Sequence, residues 1–213
     1  MRPDLILFAD TGSEKPETCA YLEIRQHWLR HVGFLAVIVV RRRCVRVPDQ
    51  SLEDQCLRTR TLPSLAYGGK SCSLKWKVAP QDRFCNHWAP ALRCWQSGQQ
   101  VIKAIGYDAG PSDGRRIRDF RNPKYRFWYP LREAGLDRAA CIELIRWEGL
   151  PVPCKSACFF CPATKKPELV ELQDRHPDLV QRALAIEQRA LLNLRSVKGL
   201  GRSFGWTSWL NQQ

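Results

Sequence analysis

The chain has 213 residues, 44% hydrophobic and 26% charged, a balance that supports one substantial core and excludes a disordered or low-complexity chain. Its 34 Lys and Arg against 21 Asp and Glu leave a net charge of +13, a surplus that favours polyanionic partners such as a nucleotide or nucleic acid. The longest apolar run, Phe34 to Val40, falls far short of the roughly 20 residues that span a bilayer, and no signal-peptide pattern opens the chain, so a cytoplasmic protein without membrane contact is expected.

In such a reducing compartment ten cysteines point to metal or redox chemistry before disulfides. Cys19 and Cys141, inside helical patterns, read instead as small core residues.

Leu5 to Ala9 is a short apolar run ending in Asp10-Thr11-Gly12, as a buried parallel strand feeding a turn would end. A helix is expected to follow, capped by Ser13, with Glu14 and Glu17 in its first turn and Gly33 at its end. Phe34 to Val40 reads as a second strand, which makes residues 5–40 a β-α-β unit. Arg41, Arg42, Arg43 and Arg46 follow at that strand's carboxyl end, the edge where open α/β sheets bind ligands. Ser51 to Thr59 suits a helix, and the Pro/Gly-rich loop Pro63 to Gly69 leads to Cys72. Gln81 to Trp95 reads as one helix and Val101 to Tyr107 as a third strand ending at Asp108. A polar loop then carries Arg115, Arg116, Arg118 and Arg121. Two strand ends leading into arginine clusters would make a phosphate or sulfate pocket if they lie side by side.

Asp137 to Glu148 reads as a helix capped by Asp137. Leu150 to Thr164, LPVPCKSACFFCPAT, follows with Cys154, Cys158 and Cys161 among three prolines. Cys158-x-x-Cys161 is a spacing that aims two thiolates at one centre, and the prolines are expected to hold the loop open with its thiols displayed. Two ligands cannot close a tetrahedral site, so Cys72 is the expected distant partner and Cys154 a possible fourth. From Pro167 to Arg195 the pattern is helical, broken at His176-Pro177, with Leu179, Ala183, Ile186, Ala190 and Leu194 on a buried face. His27, His31, His87 and His176 show no paired ligand spacing.

Four of these stretches line up with one family. Ala9 to Thr18, ADTGSEKPET, resembles the D-T-G-x-x-x-P-E-T segment of the phosphoadenosine phosphosulfate and adenosine phosphosulfate reductases of the adenine nucleotide alpha hydrolase superfamily. Ser71 to Pro80, SCSLKWKVAP, is similar to their C-C-x-x-x-K-x-x-P segment, Ile105 to Arg116 to the stretch that supplies a substrate-binding arginine, and Pro151 to Thr164 to the C-x-x-C-x-T end of the iron-sulfur class. The stretches occur in the family's order. The S-G-G-x-D-S loop and the strand before it, which precede the D-T-G strand in the family, are absent from this sequence, as is the E-C-G-L-H motif, and Ser73 stands where the second paired cysteine would be.

The resemblance implies a mainly parallel, Rossmann-like α/β domain of the adenine nucleotide alpha hydrolase (HUP) type over residues 1–165, and a helical C-terminal extension over 166–213. It implies a [4Fe–4S] cluster on Cys72, Cys158 and Cys161, with zinc as the alternative, and ATP or an adenylylated nucleotide as ligand. Asp10, Thr11, Gly12, Ser13, Glu14, Arg115 and Arg116 would line the substrate pocket, and Lys75, Lys77 and Asp108 would serve the chemistry. The expected function is sulfur transfer or reductive chemistry on an adenylylated nucleotide or nucleic acid. The rival is a non-catalytic nucleotide- or nucleic-acid-binding accessory protein with a structural metal site. Radical S-adenosylmethionine chemistry also matches the Cys154, Cys158, Cys161 spacing, but too few residues follow Cys161 for its barrel. A sheet lacking its first strand would leave an edge needing cover, hence a homo-oligomer or a partner subunit.

Overall fold

The computed structural model describes residues 2–45, 47–117, 121–201 and 203–212. Arg46 and Arg118, counted in the arginine clusters above, lie outside the described residues. The chain packs as two compact units, Met1–Phe84 with Cys154–Gln213, and Cys85–Pro153. The division expected at residue 165 is thus not the one that packing draws, because the C-terminal helices share a core with the N-terminal elements.

In the first unit, β1 (Ile6–Asp10) runs into the D-T-G turn and α1 (Pro16–His31), and β2 (Val37–Arg41) returns parallel to β1. This confirms a β-α-β order. Gly12 has φ +69°, and a Cβ there would stand 2.8 Å from the Ser51 Cβ, so the turn needs glycine on both counts. The N-cap of α1 is Lys15, without a side-chain cap bond, and not Ser13; the Ser13 hydroxyl instead accepts from the Glu53 amide at 3.2 Å. Pro16 opens the helix where its missing N–H costs nothing.

α2 (Leu52–Thr59) is capped by Ser51, whose hydroxyl accepts from the Asp54 amide while the Asp54 carboxylate accepts from the Ser51 amide. After a 3₁₀ turn, α3 (Ser71–Ser73) widens into a π-helical stretch, Leu74–Val78, and continues as α4 (Ala79–Cys85). The expected single helix over Gln81 to Trp95 is two helices, because Pro90 begins α5 (Ala89–Gln96) afresh.

The second unit holds α5, β3 (Val101–Ala104), α6 (Pro111–Gly114), β4 (Tyr125–Trp128), α7 (Pro130–Glu133) and α8 (Arg138–Trp147), the last capped by Asp137 as expected. β3 and β4 are parallel, with Val101 opposite Tyr125 and Ala104 opposite Trp128. No strand was expected at 125–128. Asn122 sets it up by accepting from the Lys124 and Tyr125 amides at 2.9 and 3.0 Å. Among the described residues the strands form two separate two-stranded parallel sheets, not one larger sheet.

The chain then returns to the first unit with α9 (Lys166–Arg175), α10 (Pro177–Ala190) and α11 (Trp206–Leu210). Leu179, Ala183, Ile186 and Ala190 form the buried face of α10 as their spacing predicts, and Leu194 is partly buried beside them. Glu187 is also buried on α10, where it accepts from the amides of Leu200, Trp206 and Thr207 at 2.6–2.9 Å. That carboxylate pins the terminal segment to the core by satisfying three amides at once. Among the described residues no helix is long and apolar enough to cross a membrane.

Candidate metal centre

The cysteine loop is packed and not displayed. Phe159 and Phe160 are fully buried, 4.8 Å apart in an edge-to-face pair, and Cys158 joins them in a core with Trp76, Leu169 and Cys56. Prolines bar regular structure here, but they do not keep apolar side chains out of the interior, and -A-C-F-F- supplies them.

What the loop packs against is the D-T-G turn. Cys158 pairs as an isolated antiparallel bridge with Glu14, and the Phe159 amide donates to the Ser13 carbonyl at 3.0 Å. The Thr11 hydroxyl lies 3.2 Å from Cys158 Sγ and donates to Glu14 Oε1 at 3.1 Å. Lys77 Nζ reaches the same Glu14 oxygen at 2.9 Å. Glu14 is 1% exposed at its side chain, and its Oε2 is buried without a hydrogen-bond partner. Three motifs far apart in sequence, D-T-G, K-x-x-P and C-x-x-C, thus meet within one bond network.

The network sets the protonation of the thiols. Burial pushes Cys158 up to about 12, with the Glu14 charge adding to the rise while the Thr11 hydrogen bond and Lys77 oppose it. Burial also raises Cys161, against the Ala163 amide and the charges of Lys155 and Lys77. Burial acts against the charged form of Lys77, yet Glu14 and the two cysteines hold its pKa above the ordinary value. Cys158 is therefore a neutral thiol near pH 7, unsuited to act as a free thiolate nucleophile. A metal would have to displace its proton.

Cys72 packs against the same core, its amide donating to the Ser64 hydroxyl at 2.8 Å, and it lies within electrostatic reach of Cys161. Cys72 and Cys158 thus share one core, and the Cys161 amide donates to the Cys158 carbonyl at 3.0 Å. Cys154 is exposed, and the charges around it are those of Glu17, Lys15, Glu171 and Arg175. Cys19 is exposed and Cys141 half-buried, so neither is the core residue expected.

Among the described residues no three His, Cys, Asp or Glu side chains stand close enough to hold one metal ion. A tetrahedral zinc with Zn–S of about 2.3 Å needs its sulfurs roughly 3.8 Å apart. A cluster carries each thiolate on a different iron and spaces them more widely. A buried carboxylate, Glu14, stands beside the Cys158 thiol, so the surroundings combine soft and hard donors.

The remaining expected residues divide between structure and surface. Both oxygens of Asp10 are engaged internally, Oδ1 by the Gly12 amide at 2.7 Å and Oδ2 by Arg41 Nε at 2.8 Å, a pairing that follows from the register of Asp10 opposite Arg41. Lys75 is exposed, on the side of Asp49. Asp108, Arg115 and Arg116 belong to the second unit. There Asp108 Oδ1 accepts from the Gly110 amide at 2.8 Å, Arg116 pairs with Asp113 and lies 4.4 Å over the Tyr107 ring, and Arg115 is exposed. Arg132 braces that loop by donating to the carbonyls of Asp108 and Gly110.

Sequence reasoning passed over Cys56, which Leu52 at i−4 places on the buried face of α2. It also passed over the Glu53–Arg182 ion pair that ties α2 to α10. No protein-family model, curated protein or solved structure matches the chain.

Proposed function

We propose that the chain is a phosphoadenosine phosphosulfate reductase-like protein of the adenine nucleotide alpha hydrolase type, whose Cys72, Cys158 and Cys161 hold a [4Fe–4S] cluster for reductive or sulfur-transfer chemistry on an adenylylated nucleotide or nucleic acid. The observation that carries the reading is the contact of the D-T-G turn with the C-x-x-C loop, Thr11 Oγ1 to Cys158 Sγ at 3.2 Å, in a family-like order of motifs. The cluster would supply electrons, or a soft site for sulfur, near the Lys77 ammonium.

The chain's own groups have definable tasks around it. Lys77 places a positive charge beside Cys158 and Cys161, which would offset the negative charge of ligated thiolates. Thr11 has a single O–H and two acceptors within reach, Glu14 Oε1 and the Cys158 sulfur, so it ties the turn to the cysteine loop. The parallel β1–α1–β2 order and the +13 charge support the fold assignment and a polyanionic ligand.

Protein purified without oxygen tests this directly. It is expected to be brown, with iron and acid-labile sulfide, and to bind labelled adenosine phosphosulfate or ATP. Colourless protein carrying one equivalent of zinc would overturn the cluster. A second reading, a non-catalytic binder with a structural metal site, is favoured by the deep burial of Thr11, Phe159 and Phe160. Iron without any nucleotide affinity would select it.

A further inference from the structure

The second unit carries a group of planar and charged side chains of its own. β3 and β4 are parallel, with Ala104 opposite Trp128 at their carboxyl ends. The Ile105 amide carries the pairing one step further by donating to the Trp128 carbonyl at 2.8 Å, so the chain brings Tyr107 and Tyr129 side by side just beyond the strands. Their rings lie 5.8 Å apart and 12° from parallel. They stand at the carboxyl end of a parallel strand pair, the edge where open α/β sheets bind ligands.

The segment that follows α6 brings cations to that edge. The Arg116 guanidinium lies 4.4 Å from the centre of the Tyr107 ring and pairs with Asp113 at 2.9 Å, yet 51% of its side chain stays exposed. Arg115 beside it and Arg126 on β4 are exposed as well. Arg126 lies three residues before Tyr129, on the order of 10 Å along an extended chain, so the charges are spread over more than one phosphate. Aromatic rings with a delocalised planar cation suit the flat face of a nucleobase, and separated arginines suit successive phosphates. An acidic peptide would use the charges and leave the rings without a task. In a duplex both faces of each base are already stacked, so the surface fits an unpaired base.

We propose that Tyr107, Tyr129 and Arg116 form a stacking platform for an unpaired base of a single-stranded nucleic acid, with Arg115 and Arg126 on its phosphates. The assignment rests on the second unit alone and holds whether or not the cysteines carry a cluster.

The test uses the full chain and fluorescence anisotropy with labelled single strands of DNA and RNA, the DNA duplex of the same sequence, an abasic strand that keeps the phosphates without the bases, and poly-glutamate. Wild type is expected to bind a base-bearing single strand more tightly than any of the other three. Binding of either DNA or RNA supports the platform, and the tighter of the two names the source. Tyr107→Ala and Tyr129→Ala are expected to weaken binding roughly 5- to 150-fold, the range for losing one base–aromatic stack, while Tyr107→Phe and Tyr129→Phe, which keep the ring, match wild type. Arg116→Lys is expected to weaken binding with the salt dependence unchanged, because the charge stays and the plane is lost. Equal affinity for abasic and base-bearing strands, a duplex or poly-glutamate bound as tightly as the single strand, or no binding of either strand would overturn the proposal. Alanine variants that fold by circular dichroism and bind like wild type would do the same. If neither alanine variant folds, the abasic comparison and Arg116→Lys decide. Colourless, iron-free protein would remove the cluster reading and leave these outcomes as they are.

Discussion

At the residue scale the decisive group is Lys77, because Glu14 is almost wholly buried and pairs with its ammonium. Removing one member of a buried ion pair leaves an uncompensated charge, which costs more than the pair contributes. Lys77→Met is expected to lower stability by about 2 kcal/mol, discounted from a fully buried pair because the lysine is a third exposed. Adding Glu14→Gln should restore much of the loss, which a double-mutant cycle by chemical denaturation would measure; equal losses in the single and double variants would show that Glu14 is not the reason. Gly12→Ala makes a different demand. Its positive φ alone costs roughly 1–3 kcal/mol for an alanine, and the approach of Ser51 adds to it. Since Gly12 aims Thr11 at Cys158, the variant is expected to lower the melting temperature and expose Cys158 to alkylation.

Among the elements, the cysteine loop is held from one side by Ser13 and Glu14 and from the other by α9. Lys155 Nζ donates to the Ala163 carbonyl at 2.9 Å and to Glu168 at 2.8 Å, and Glu168 also accepts from the Lys165 amide. Burial opposes the ionisation of Glu168, but Lys155 and the Lys165 amide prevail and keep its pKa below the usual 4.5. A depressed carboxylate contributes fully above the free value and loses its contribution as pH falls through the lower, folded one. Amide protection factors in residues 154–164, corrected for intrinsic exchange, should therefore fall on acidification below about 4.5, and Glu168→Gln should show the lower protection already at neutral pH. Identical protection in variant and wild type would mean that this anchor does not hold the loop. How legible such elements were in the sequence depended on what fixes them. Ser51, Asp137 and Pro177 announce helix starts by local chemistry, and all three stand where expected. β4 was hidden because four residues, Tyr125–Trp128, are too short to display a period, and its start depends on the Asn122 side chain. The openness expected of the cysteine loop failed for a related reason: prolines report backbone conformation, whereas the burial of Phe159 and Phe160 is decided by partners distant in sequence.

On the scale of the whole molecule, the expectation of one parallel sheet gave way to two pairs of strands because each β-strand's partner is its neighbour in sequence. Parallel sheets usually carry cover on both faces, yet Ile38 and Val39 on β2 are 40% and 43% exposed. The charge of the chain is likewise carried outward: in the second unit Arg115, Arg116, Arg121 and Arg126 are all exposed. Arg116 pairs with Asp113 and lies over the Tyr107 ring, and a net +13 gives the exposed arginines a long-range attraction for polyanions. If they serve a nucleic acid, binding releases condensed counterions, and the logarithm of affinity must fall linearly with that of salt concentration. Fluorescence anisotropy with a single-stranded oligonucleotide should show that slope, and replacing Arg115 or Arg126 by Gln should reduce it by about 0.7 for each phosphate that is no longer neutralised. Affinity insensitive to salt, or slopes identical in wild type and both variants, would separate the positive surface from nucleic-acid recognition and leave a small nucleotide as the anion to seek.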